Sequence, residues 1–161
     1  MKKIFLMVAI IATSVVQFGF AQTNHVNHQT QAVALLPLYY DVKDALVSGD
    51  AKLAASKAQE FVKAVNSTDA KVINETNKKD LLEYAVKLAK SKDLNSEREY
   101  FASLSTSMIT LAKSSKLSDE PVYQMYCPMK KSNWLSSEKA VKNPYYGSAM
   151  LTCGNIVETI K

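Results

Sequence analysis

Glycine and proline are scarce in this chain, four of each in 161 residues, and there are only two cysteines, two histidines and one tryptophan. So few turn formers argue against a many-stranded β-sandwich and against a low-complexity segment. Two cysteines cannot furnish a four-thiolate zinc site or a dense disulfide scaffold. Both histidines, His25 and His28, fall near the N-terminus. No Ser-His-Asp or Cys-His set can therefore be assembled in the body of the chain, and no glycine-rich phosphate loop or dinucleotide fingerprint is present. An enzyme is not expected. With 47% apolar and 22% charged residues, the chain has the composition of an ordinary folding domain.

The first residues read as a targeting segment. Met1-Lys2-Lys3 is a short basic start, an apolar run from Ile4 to Val16 follows, and Gly19 and Ala21 are small residues ahead of Gln22. This is the signal-peptide pattern, with cleavage expected after Ala21. The apolar run is too short for a spanning helix, so no stable membrane insertion is expected afterwards. A periplasmic or secreted protein follows. Lys2 and Lys3 leave with residues 1–21, which carry no acid, and the net charge falls from +5 to +3. The remaining lysines are interspersed with acids, which is a solvated surface and no nucleic-acid footprint.

Residues 22–34 read as a flexible polar lead. His25 and His28 would share a face if this lead were helical, but they read better as ordinary imidazoles there. Between Leu38 and Ser118 there is no proline and only one glycine, and apolar residues recur at helical spacing. Leu35, Leu38, Val42, Ala45 and Leu46 form one stripe, with Pro37 suited to a first turn or a kink. Gly49-Asp50 ends that helix and caps the next, which carries Ala51, Ala54, Ala55, Ala58, Val62 and Val65. Asn77 or Asp80 opens a third helix with Leu81, Leu82, Ala85, Leu88 and Ala89. Ser96 with Glu99 matches a capping box for a fourth, which turns Phe101, Leu104, Met108, Leu111 and Ala112 inward. The expected fold is mainly α: an antiparallel bundle of about four helices over 35–118, in a single domain 35–161.

Residues 119–161 differ in character. Three of the four prolines, both cysteines and the tryptophan lie there. Val122 to Cys127 alternates and suits a short strand, and Asn155 to Ile160 is a second strand or a last helical turn. Trp134, Tyr123, Tyr126, Tyr145 and Tyr146 are expected to pack this loop-rich segment on the bundle.

Two motifs there pair a thiol with a thioether: Cys127-Pro128-Met129 and Met150-Leu151-Thr152-Cys153-Gly154. Brought together, Cys127, Met129, Met150 and Cys153 make a soft-donor set suited to Cu(I). The alternative is a disulfide between Cys127 and Cys153, closing a loop of about 27 residues and contributing roughly 3 to 4 kcal/mol. Met129 and Met150 would then be packing residues, and the protein a disulfide-stabilised interaction module of the cell envelope with no metal.

The runs Tyr126-Cys127-Pro128-Met129, Trp134-Leu135-Ser136, Asn143-Pro144-Tyr145-Tyr146-Gly147 and Met150-Leu151-Thr152-Cys153-Gly154 resemble the signature of bacterial domain-of-unknown-function family 3347. Asp44-Ala45-Leu46 and the Phe101-to-Ser105 segment are similar to it as well, so the likeness spans roughly Leu35 to Ile160. The family comprises small exported proteins and also occurs fused to periplasmic adaptor subunits of heavy-metal efflux pumps. The resemblance implies a role in handling copper or related cations, beside an efflux or other envelope partner, with Cys127, Met129, Met150 and Cys153 at the signature's Cys and Met positions.

Overall fold

The computed structural model describes residues 28–161. The expected signal peptide, its cleavage point and His25 lie outside the described residues. Among these, four helices, α1 (His28–Ser48), α2 (Ala51–Ser67), α3 (Glu75–Lys90) and α4 (Leu94–Ser114), precede three strands, β1 (Val122–Cys127), β2 (Ser132–Ser136) and β3 (Asn155–Ile160). A single 3-10 turn, Gly147–Met150, lies between β2 and β3. The mainly α bundle with short strands is therefore the fold. No helix among the described residues is long and apolar enough to cross a membrane.

The helices begin and end where local chemistry dictates, not always where periodicity suggested. α1 starts at His28, so residues 28–34 are helical and not the expected flexible lead. Pro37 consequently sits inside α1 and not in its first turn. Gly49 takes a left-handed φ of 77° to end α1, and the Asp50 carboxylate accepts the Leu53 amide at 2.9 Å to open α2. α3 is capped by Asn74, whose side chain accepts the Asn77 amide at 2.8 Å, three residues before the earliest expected start. α4 is capped by Asp93, which accepts the Ser96 amide at 2.8 Å. The expected capping box at Ser96 and Glu99 is therefore not used. Carboxylate and carboxamide oxygens fill the N-cap role better than periodicity alone can reveal.

Consecutive helices pack through their apolar faces. Leu35, Tyr39, Val42 and Leu46 of α1 are buried, as are Ala54, Ala58, Phe61 and Val65 of α2, Leu81, Ala85 and Leu88 of α3, and Phe101, Leu104, Met108 and Leu111 of α4. Each large apolar side chain so buried contributes roughly 1.5 to 3 kcal/mol over an exposed one. α1 packs on α2, α2 on α3 and α3 on α4, but α1 and α4 touch each other little. The open seam between them is filled by the C-terminal segment, chiefly by β2 against α4. An aromatic column closes it. Tyr39 of α1 stacks on Phe101 of α4 at 5.1 Å, Phe101 meets Tyr145 at 6.1 Å, and Tyr145 meets Trp134 of β2 edge-on at 5.8 Å.

The sheet has the order β2-β1-β3, with both pairs antiparallel. In β1 the buried residues are Val122, Met125 and Cys127, so Met125 belongs to the core. β3 is exposed along nearly its whole length, and a register shift interrupts its pairing with β1 beside Gln124 and Met125. β1 and β2 form a hairpin closed by Pro128–Lys131, with Cys127 opposite Ser132. That tight connection brings Lys131 to a φ of 55° and lets its amide donate to the Cys127 carbonyl at 2.8 Å.

Candidate functional site: the Cys127–Cys153 pair

Cys127 is the last residue of β1 and is wholly buried. The chain turns immediately after it, and the Lys130 amide donates back to its sulfur at 3.4 Å. Cys153 lies just before β3, where the turn that follows the 3-10 segment closes with the Cys153 amide donating to the Met150 carbonyl at 3.0 Å. Antiparallel pairing of β1 with β3, Tyr126 opposite Asn155, sets the two cysteine segments side by side. Gly154 makes that approach possible. Its φ is 151°, and a Cβ there would stand 2.8 Å from the Trp134 ring and 2.9 Å from the Tyr126 carbonyl oxygen.

The two sulfur atoms lie 4.0 Å apart and both cysteines are free. The alternative disulfide is not formed in this structure, because a disulfide needs sulfurs at about 2.0 Å. The pair is asymmetric. Cys127 is enclosed, whereas Cys153 is partly exposed. Burial, then the contact with the Cys127 sulfur, push the Cys153 thiol above its ordinary value, against a smaller opposing effect of the Met129 backbone amide.

Asn143 is the residue that reading by motif missed. It is fully buried, and its Nδ2 donates to the Cys127 sulfur at 3.2 Å and to the Cys153 carbonyl at 2.6 Å. Its Oδ1 accepts the Tyr145 amide at 2.8 Å. Its own amide donates to Leu151 O at 2.8 Å and its carbonyl accepts from Gly147 at 3.0 Å. In sequence, Asn143 stands in the Asn143-Pro144-Tyr145-Tyr146-Gly147 run, turn chemistry within the family-like signature, with nothing to mark it as a partner of the cysteines.

Met129 and Met150 meet Cys153 through their main chains, and their side chains are 62% and 41% exposed. They are not the packing residues that the disulfide alternative required. Lys130 forms an ion pair with Glu99 of α4, so its ammonium is tied to a carboxylate. Among the described residues no group of three or more His, Cys, Asp or Glu converges on one point. Any ion held at the cysteine pair would therefore complete its shell from sulfur, solvent or backbone.

Sulfurs 4.0 Å apart would subtend an angle of about 120° at an ion held by thiolate bonds of about 2.3 Å, the length found for zinc. That is a three-coordinate angle, with one further position open.

Residues 35–120, just over half of the chain, match the family described as Protein of unknown function (DUF3347). The chain belongs to this family. The matched segment is the helical body and ends before β1, so the Cys and Met motifs lie beyond it. No curated protein and no solved structure matches the chain.

Proposed function

We propose that this protein is an exported, periplasmic soft-metal-binding protein that holds Cu(I) or a similar ion through Cys127 and Cys153, as an accessory to heavy-metal efflux or homeostasis. The observation that carries the reading is the free cysteine pair, with sulfurs 4.0 Å apart at the meeting point of two thiol–thioether motifs. Thiolate and thioether are soft donors and favour Cu(I) over hard cations. Met129 and Met150, whose main chains adjoin Cys153 and whose side chains are exposed, would supply thioethers for the position that two thiolates leave open. Export rests on the basic start, apolar run and small-residue cleavage pattern of residues 1–21. Competition for Cu(I) between the reduced protein and a chelator tests the reading. Binding should be at least tenfold weaker in a Cys127→Ser/Cys153→Ser variant. Equal binding by both proteins would overturn it.

The second reading is an envelope interaction module stapled by a Cys127–Cys153 disulfide. It is favoured by the proximity of the two sulfurs, which the oxidising periplasm could join. Intact mass before and after alkylation of protein taken from the periplasm separates the two. Two alkylated cysteines exclude the staple.

A further inference from the structure

Asn143 is buried without any exposed atom, yet every polar group on it is used. Its main chain closes the 143–151 loop on itself, through Leu151 and Gly147. Its side chain reaches out of that loop to both cysteine segments. The Tyr145 amide pins Oδ1, and this fixes which end of the carboxamide faces the sulfur: Nδ2, a donor. One N–H is directed at the Cys127 sulfur and the other at the Cys153 carbonyl. Together with the Lys130 amide, Asn143 gives the wholly buried Cys127 sulfur two N–H donors. Donors of this kind strengthen when the sulfur carries negative charge, because a charge-assisted hydrogen bond is about twice as strong as a neutral one.

We infer that Asn143 is the positioning residue of the cysteine pair: it fixes the Cys127 sulfur and the Cys153 main chain side by side, unlinked and open to an incoming ion. The inference rests on the soft-metal reading for its purpose, but its geometry stands without any metal. Outer-shell donors to a metal's ligands commonly change affinity by 10- to 100-fold. Cys153, partly exposed and next to Met150 and Met129, is the side from which the ion arrives.

The test compares the full chain with Asn143→Asp, which keeps an oxygen for the Tyr145 amide and loses the donor, and with Asn143→Ser, which removes the reach to sulfur without adding a charge. One measurement needs no metal. The protein is equilibrated with glutathione and glutathione disulfide. Two thiols lose two electrons and two protons, one glutathione disulfide is cleaved to two glutathiones, and an S–S bond forms between Cys127 and Cys153. Loss of the Asn143 bridge frees the two segments to close. The equilibrium constant for disulfide formation should therefore rise about tenfold or more in both variants. The second measurement is Cu(I) affinity, expected to fall about 10-fold or more in both. Unchanged redox equilibrium in both folded variants overturns the inference, whatever happens to the melting temperature. If the wild type binds no Cu(I) better than its cysteine-free variant while the redox shift appears, the metal reading fails and the positioning role stands.

Discussion

The Tyr39 hydroxyl bridges two elements that sequence places far apart: it shares a hydrogen bond with Ser105 Oγ at 2.7 Å and accepts the Leu135 amide at 3.1 Å. It ties α1, α4 and the outer edge of β2 together. Burial pushes this phenol well above its ordinary range, so it is protonated wherever the protein is folded. Two residues earlier on the same strand, Asn133 is held by the Tyr145 hydroxyl through its carbonyl at 2.5 Å. The Tyr39 contacts dock the cysteine-bearing sheet on the bundle, and the Tyr145 ring, against Phe101 of α4, adds to them.

Replacing Tyr39 with Phe keeps the ring stack and removes the bridge. The Leu135 amide and the Ser105 hydroxyl are then left buried without that partner, which costs about 1 to 3 kcal/mol. Urea denaturation measures this directly. A change within experimental error would show that the hydroxyl does not hold the seam.

Gly154→Ala probes the close approach at the site. Its new methyl group would stand within 3 Å of the Trp134 ring and the Tyr126 carbonyl oxygen, the latter being backbone that cannot swing away. The expected loss is about 1 to 3 kcal/mol. The separation of Cys127 from Cys153 should change as well, read as weaker Cu(I) binding. A variant as stable as wild type would mean that β1 and β3 are looser here than the structure shows.

Glu97 gives the protein a pH dependence. It is buried, and neither carboxylate oxygen has a partner. Burial, with the nearby charges of Asp93 and Asp50, raises it to about 7, against a smaller opposing effect of Arg98. The unfolded chain releases this proton near pH 4.3. The folded state therefore holds a proton that the unfolded state has lost, and the associated stability is complete below about pH 4.3 and lost as pH rises through about 7. The melting temperature should fall between about pH 4.5 and pH 7 and level off above that, and Glu97→Gln should flatten that slope. An equal slope in the variant would contradict the assignment.

Met129 and Met150 separate ligand from packing. Both are exposed, so Met129→Leu/Met150→Leu should leave stability within about 0.5 kcal/mol of wild type. Cu(I) affinity should still fall several-fold. A stability loss without a binding loss would return the two methionines to the packing role.

The bundle was legible because its stripes are long and obey one period. Phe101, Leu104, Met108 and Leu111 face inward as their spacing requires. The caps were less legible, because Asn74 and Asp93 act through side-chain geometry that any polar residue nearby could have offered. β2 escaped notice for a different reason. Trp134, Leu135 and Ser136 are buried in succession, since this strand is covered by α4 and by the aromatic column, and the two-residue alternation is lost. Cys127 and Cys153 stood out by type and by their neighbours, and the structure brings them together. Asn143 did not stand out, because its role exists only once the 143–154 loop folds back on the end of β1.

X-ray absorption of the Cu(I)-loaded, reduced full-length protein tests the central claim most directly. The account predicts a first shell of sulfur only, with about three ligands as the open angle allows, and its loss in the Cys127→Ser/Cys153→Ser variant. A shell of nitrogen or oxygen donors, or one unchanged by removing both cysteines, would contradict it.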